Sequence, residues 1–365
     1  MWRLLDLGAV SGYVMTNLYE VVARQISKGE SPNTFILCHP EAPFVNIGYH
    51  QLMEKSVDVE RARQLGYALV RRTIGGGTIL DGPWEQDYFA VVDRNSPHCP
   101  PTIPGFYGKF LQIPVEALKR LGLEAKIRPP NDILVNERKI SGNGAITIER
   151  ANVLAGDLLL DAPTKLMAEV IKTPSEKFQD KVASTMGEWI TSIRREAGEV
   201  GREAVKEALV EGFKEALGVE LEPGVLSQEE REHLEALVEE RSSHQWIFSK
   251  DEEVLLKVEQ ASTGTKIRGG VVVSEASYKA GKLIQVLLVS HEDVIRDISI
   301  SGDFFTYPLV GGVEGLERAL VGVPLEEGVL EERVEEAFRE LGVQIYGAQP
   351  KDIAKAILLA RHSSD

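Results

Sequence analysis

The chain predicts an α+β protein, with a mostly antiparallel sheet flanked by helices and a smaller α+β unit after it. Three observations carry this. Short β-prone runs follow one another through polar turns, most clearly in PPNDILVNERKISGNG (Pro129 to Gly144), where two runs flank a three-residue link, Asn136-Glu137-Arg138. Apolar residues recur at helical spacing around those runs, as in Val14, Leu18, Val21, Val22 and Ile26. A helix-rich stretch from Thr164 to Arg241 then gives way to a second series of strands and helices. The expected domains are therefore 1–243 and 244–365, and a chain of 365 residues is long enough for two such cores.

In order, a helix is expected from Gly12 to Ser27, with Glu20 and Arg24 off its apolar face, and strands at Thr34–Cys38 and Phe44–Gly48. A helical pattern spans Val57 to Leu65. YALVRRTIGGGTILDGPWEQDYFAVV reads as strand, glycine-rich link, strand, turn and a strand over Tyr88–Val92. SPHCPPTIPG is a proline-rich loop, Phe106–Leu121 a helix and Glu124–Arg128 a strand leading into the hairpin. Ala145–Arg150 extends the hairpin, and Ala155–Leu160 is a further strand. In the second unit, Ile267–Tyr278, Lys282–Val289 and Val294–Ile300 are strands, closed by Gly302-Asp303-Phe304-Phe305. Helices follow at Gly315–Leu320, Leu330–Leu341 and Pro350–Ala360.

A net charge of -15 argues against non-specific binding to nucleic acid or anionic membranes, because neither polyanion is drawn to such a surface. No apolar run is long enough to span a bilayer, and Asp6 interrupts what would be a signal sequence. Two cysteines, Cys38 and Cys99, exclude a disulfide framework and suit a reducing cytoplasm.

Two stretches carry chemistry. Arg71-Arg72-Thr73-Ile74-Gly75-Gly76-Gly77 puts a guanidinium beside a run of bare backbone donors; it is either an anion-binding loop or a flexible one with surface arginines. It lacks the Lys-Ser/Thr of a phosphate-binding P-loop and the spacing of a dinucleotide fingerprint. The hairpin supplies Asn131, Asp132 and Lys139, followed by Ser141 and Gly142. Alone, Lys139 reads as a solvated surface residue and Asn131-Asp132 as a turn cap. Together the two stretches offer two cations, a carboxylate able to hold Mg²⁺ or to orient Lys139, and exposed amides. That inventory suits nucleotide transfer onto a carboxylate, where two anions must be brought together and charge builds up.

RRTIGGGTIL, NDILVNERKISGNGA and GDLLLD in this order resemble the lipoate–protein ligases, within a superfamily that also holds biotin–protein ligases and octanoyltransferases. EKFQDKVASTMGEWITSI resembles the segment after their catalytic core. GTKIRGGVVVSEASYKAGKLIQVLLVS, ISGDFF and LERALVGV resemble their C-terminal accessory domain, so the likeness spans nearly the whole chain. It implies a biotin/lipoate ligase-like catalytic domain that activates lipoate, or octanoate, with Mg·ATP to lipoyl-AMP and passes the acyl group to a lysine of an acceptor domain. Such acceptors are the glycine cleavage H protein, the E2 of a 2-oxoacid dehydrogenase or a similar lipoyl-binding protein.

Carried over by position, Lys139 would be the catalytic lysine at the α-phosphate and carboxyl, and Asp132 would position it or the metal. Arg72 with Gly75, Gly76 and Gly77 would form the lipoyl pocket. Asn131 would lie near the nucleotide, and Ser141 and Gly142 match the Ser-Gly after the lysine. The accessory domain would swing or close over the adenylate.

The chain departs from the family pattern at Ile74, where serine is usual, at Asp81-Gly82, where a His-Asp pair is common, and at Leu154-Ala155, where histidines are common. These changes touch the pocket wall. The alternatives are a biotin–protein ligase, disfavoured by the C-terminal domain; an octanoyltransferase, disfavoured because its cysteine nucleophile falls near or after the hairpin and no cysteine here follows residue 99; and a catalytically inactive scaffold paralogue. His98-Cys99 is too small a set for a metal site.

Overall fold

The computed structural model describes residues 2–172, 176–263, 271–309 and 311–362. The chain forms two compact units: Met1–Asn46, Val57–Arg72 and Ile79–Ser243 make the first, and Ile47–Ser56, Thr73–Thr78 and His244–Asp365 the second. Two short segments from the N-terminal half are thus grouped with the C-terminal part.

Numbered along the chain, the strands of the N-terminal half are β1 (Trp2–Val10), β2 (Thr34–Pro40), β3 (Phe44–Ile47), β4 (Ala68–Arg71), β5 (Ile79–Asp81), β6 (Glu85–Asp93), β7 (Ala125–Arg128), β8 (Asp132–Val135), β9 (Arg138–Ile148), β10 (Ala151–Leu159) and β11 (Leu221–Pro223). Eight of them form one sheet in the order β11-β1-β2-β6-β10-β9-β8-β7, and β4-β3-β5 form a small second sheet. Only β1 runs parallel to its neighbours, β2 and β11; the remaining pairs of the large sheet are antiparallel, as expected. Strand β1 was not expected: its alternation is broken by Asp6 and Gly8, and only pairing on both edges makes it a strand.

Successive strand residues face opposite sides of a sheet, and β6 shows this plainly. Tyr88 joins the core made with helices Ile103–Phe110, Gln112–Arg120 and Arg202–Leu217, where Phe213 lies 4.8 Å from Phe35 and 5.0 Å from Trp2, ring centre to ring centre. Phe89 points the other way and stacks at 5.4 Å on Tyr19 of helix Gly12–Lys28. The expected single helix Phe106–Leu121 is two, separated at Leu111, and Pro114 sits in the first turn of the second, where its missing N–H costs nothing. In Gly12–Lys28 the expected apolar positions are buried, but so is Glu20. Its carboxylate is held by Arg241 at 2.7 and 2.8 Å, which pins helix Gln228–Arg241 against it.

In the second unit, β12 (Val271–Lys279), β13 (Leu283–His291) and β14 (Val294–Gly302) form an antiparallel sheet, matching the expected order. The part of the expected first strand before Val271 lies outside the described residues. Phe305 does not close that sheet. It opens β15 (Phe305–Tyr307), which pairs with β16 (Gln344–Tyr346) in a sheet of its own. Helices Gly312–Leu320, Glu327–Leu341 and Pro350–His362 contribute the apolar side chains that cover the sheet in a core around Leu288, Ile298, Leu316, Val334 and Ile357.

Candidate active site

The hairpin is tighter than its sequence implies. Asn136 and Glu137 alone form the link, at φ 49° and 63°, and Arg138 already belongs to β9. A two-residue link with both φ values positive matches the twist of the flanking strands. Opposite the link, the register shifts: Ile133 pairs with Ser141, but Leu134 pairs with Lys139, so Ile140 is an inserted residue. This bulge flips the alternation. Plain alternation would place Lys139 on the same face as Ser141; the bulge turns it to the face of Asp132 and Gly142, which are paired across the hairpin.

On that face, Lys139 Nζ lies 2.9 Å from Asp132 Oδ1, and Arg128 Nη2 donates to Asp132 Oδ2 at 2.7 Å. Burial opposes ionisation of Asp132, but Lys139 and Arg128 more than offset it and hold the carboxyl below its ordinary range. Both oxygens are thus engaged by cations, and among the described residues no group of three or more His, Cys, Asp or Glu comes together as a metal site. Of the two roles expected of Asp132, orienting Lys139 is the one this geometry supports. A divalent ion would fit here only with its other ligands supplied by substrate phosphates.

The other face of the hairpin is neutral and buried. Tyr88 Oη donates to Asn143 Oδ1 at 2.5 Å. Asn143 Nδ2 donates to the Asn131 carbonyl and to Ser141 Oγ, both at 3.1 Å, and Asn131 Nδ2 returns a bond to the Asn143 carbonyl. Asn131, expected near the nucleotide, and Ser141, of the Ser-Gly after the lysine, are therefore placed in a closed network beneath the hairpin. Asn143 and Tyr88, its other members, give no signal in the sequence beyond being polar in buried strands. Outside the strands, Glu196 clamps the hairpin link, accepting from Asn136 Nδ2 at 2.8 Å, Arg138 Nη2 at 2.7 Å and the Thr191 hydroxyl. The Thr191 N–H also donates to the Lys139 carbonyl at 2.8 Å.

Arg72, the residue after β4, donates from Nη1 to the Asn46 carbonyl at 3.1 Å, and Asn46 Nδ2 donates to Asp81 Oδ2 at 2.7 Å. Asp81 is one of four carboxyls on strands β5, β6 and β10, with Glu85, Asp87 and Asp157. Burial, then mutual repulsion, raises Glu85 and Asp87 well above the usual range. Burial also raises Asp81 to about 7, with Asn46 and Arg72 pulling back, and Asp157 to about 6, with Lys139 and the Gly142 amide pulling back. Asp157 stands in the quoted GDLLLD, yet nothing in that string shows which charges the sheet register places around it.

Gly75, Gly76 and Gly77 lie in the second unit. A Cβ on Gly75 would come within 2.4 Å of the Phe304 carbonyl oxygen, and Gly76, at φ 100°, donates its N–H to that same oxygen at 3.2 Å. Gly75 is therefore required by a close backbone approach to the GDFF segment and Gly76 by its positive φ, whereas a Cβ on Gly77 would meet only the Asp303 Cβ at an ordinary 3.9 Å. Ile74 is buried, and its carbonyl accepts the Tyr49 N–H at 3.2 Å.

The surroundings of both thiols disfavour the thiolate. Burial, then Asp87, Asp6 and Glu85, push the Cys38 thiol well above its ordinary value; Cys99, in its loop, is partly buried and also raised.

Residues 11–214 match the model of the lipoyl protein ligase A/B catalytic domain, and residues 272–357 that of the bacterial lipoate protein ligase C-terminus. The chain belongs to the lipoyl protein ligase A/B family. An octanoyltransferase LipM of Kyrpidia tusciae is 33% identical over 273 residues, covering 68% of this chain and 99% of that protein. A lipoate-protein ligase A subunit 1 of Thermoplasma acidophilum is 27% identical, covering 67% and 95%. Among solved structures, the bi-partite lipoate protein ligase of Thermoplasma acidophilum superposes with a TM-score of 0.61 at 24% identity, over 67% of this chain and 95% of that one. P. falciparum LipL1 superposes with a TM-score of 0.71 over 98% of this chain and 100% of that one, at 13% identity, a likeness of fold alone. This family member is thus an enzyme of the lipoate ligase and octanoyltransferase group, with the α+β fold of the ligases. Among the described residues no helix is long and apolar enough to cross a membrane.

Proposed function

We propose that this protein is an ATP-dependent lipoate–protein ligase. It joins lipoate or octanoate to AMP, releasing pyrophosphate, and then passes the acyl group to the ε-amine of a lysine on an acceptor domain, releasing AMP. The observation that carries the reading is Lys139 re-aimed by the Ile140 bulge onto the face of Asp132 and Gly142. An oriented ammonium beside a backbone amide is what a reaction between a carboxylate and a triphosphate requires, since both reactants and the transition state are anionic. The match of residues 272–357 to a ligase C-terminus adds support. Mg²⁺ enters this reading as the partner of ATP, and Asp132 would be the carboxylate to hold it, with the remaining ligands supplied by the phosphates. The acceptor is a lipoyl domain of the H-protein or E2 type; the superposed Thermoplasma acidophilum ligase is described together with an E2 lipoyl domain. A cytoplasmic location belongs to the same reading.

A second reading has its own support: octanoyltransferases LipM are prominent among the similar curated proteins, including the one at 33% identity. Octanoyl transfer from a thioester donor needs no ATP and proceeds through a reactive thiolate. Cys38 and Cys99 are both held away from that state.

The deciding experiment measures ATP–pyrophosphate exchange with lipoate, octanoate or biotin, for the wild type and Lys139→Ala. In parallel, octanoyl transfer from a thioester donor without ATP is followed in the wild type and in Cys38→Ser and Cys99→Ser. The ligase reading expects exchange with lipoate or octanoate, lost in Lys139→Ala. ATP-independent transfer abolished by either serine substitution overturns it in favour of the transferase. Exchange with biotin alone moves the protein to the biotin branch, and neither activity leaves the scaffold reading.

A further inference from the structure

Strands β9 and β10 pair residue by residue from Ile148 and Ala151 down to Asn143 and Gly156, and there the ladder ends. The next amide along β9, that of Gly142, donates to the side chain of Asp157 at 2.5 Å. A carboxylate thus takes over where the hairpin parts from the sheet. A Cβ built on Gly142 would meet Lys139 Nζ at 3.0 Å and Asp157 Oδ1 at 3.5 Å, so ammonium and carboxylate border one small space. Across the strand pair, Asp157 faces Asp87, whose buried Oδ2 has no hydrogen-bond partner.

We propose that Asp157 is a positioning residue for Lys139: it anchors the hairpin through Gly142 and sets how much of the lysine's charge is offered to an incoming carboxylate. The inference rests on the ligase reading in that the incoming anion is the acid to be activated. Ionised, Asp157 competes with that anion for the same ammonium and the same amide; neutral, it leaves both to the substrate. The groups facing it are Lys139 on β9, Asp132 on β8, Asp87 and Glu85 on β6 and Asp81 on β5, and it in turn raises Tyr88. Burial leads in raising its titration to about 6, within the range where an enzyme works.

The test is lipoate binding by calorimetry at pH 5.5 and 7.5, which needs no turnover, alongside kcat and KM for exchange. In the wild type, Kd is expected to rise about tenfold between those values as Asp157 ionises. In Asp157→Asn the amide oxygen still accepts the Gly142 N–H but carries no charge, so Kd stays low and flat and kcat falls less than in Asp157→Ala. In Asp157→Ala the anchor is lost as well, so Kd is flat and kcat falls. A purely structural role leaves the wild-type slope in both variants, and that outcome overturns the inference, as does a flat wild-type profile. Exchange failing while the pH-dependent binding persists sinks the ligase reading and leaves Asp157 as inferred. Lipoate that binds at neither pH overturns both.

Discussion

The two faces of β9 present opposite solutions to placing polar groups in a sheet. On one, Asn131, Ser141, Asn143 and Tyr88 are neutral, buried and bonded to one another, so the network costs little to bury and fixes the backbone. On the other, Lys139 and Asp132 are charged and retain 35% and 24% side-chain exposure. Exposure screens their attraction, so the pair adds little to stability and leaves the ammonium reachable. One inserted residue, Ile140, decides which face the lysine joins. The difference teaches that the rigid face exists to aim the reactive one, and the two should respond oppositely to substitution.

The largest expected effect is on activity. Lys139→Ala should lower acid-dependent pyrophosphate exchange by about 10²–10³-fold, the size of losing one aligned electrostatic contact. Its denaturation midpoint should stay close to that of the wild type. A large stability loss in this variant would break the comparison. Asn143→Ala should do the reverse. It removes a bond to Tyr88 and two donations, leaving buried partners unsatisfied, so unfolding stability should drop by about 2–3 kcal/mol by denaturant titration. Exchange per folded molecule should fall far less than in Lys139→Ala. Between these lies Glu196→Ala. Its carboxyl, held below the usual range by Thr191, Asn136 and Arg138 against burial, ties the hairpin link to Thr191. Its loss should cost about 1–2 kcal/mol and slow exchange by loosening the hairpin, read as raised amide exchange at Asn136 to Lys139.

Much of this arrangement is legible in the amino-acid string, for physical reasons that also mark where legibility stops. The hairpin shows itself because its link and β-prone runs are local, and helix Gly12–Lys28 because its period is local. Lys139 could be chosen from its motif and the glycine loop that accompanies it, but not its direction, since alternation alone turns it toward Ser141 and only the observed register reveals the bulge. The three glycines read as bare donors for an anion or as a flexible loop; that Gly75 and Gly76 meet the Phe304 carbonyl is a contact across more than 200 positions, invisible to spacing. The carboxyls Glu85, Asp87 and Asp157 read as ordinary polar positions, and Asp81 only as a departure from the family pattern, until cross-strand pairing sets Asp87 opposite Asp157. Glu20 falls off the apolar face by helical period, and its partner Arg241 lies too far along the chain for any local pattern to propose it.

The carboxyl cluster supplies the smallest and sharpest prediction, because it belongs to neither extreme: buried like the neutral network, titratable like the charged pair. Asp81 has its pKa raised, chiefly by burial, to about 7, with Asp157 also pushing upward. A carboxyl raised on folding binds more protons in the native than in the unfolded state. Its stabilising contribution is therefore complete below the unfolded value, near 4, and is lost as pH rises through about 7. Asp81→Asn keeps an oxygen for the Asn46 amide and removes the charge, giving up the attraction to Arg72. The stability of the variant relative to the wild type should consequently be about 1–2 kcal/mol more favourable at pH 8.5 than at pH 4.5, the full value being reduced because the carboxyls titrate together. Thermal unfolding of both proteins at the two pH values measures it. A difference that does not change with pH would mean that Asp81 is ionised throughout, and the cluster would then belong with the charged face after all.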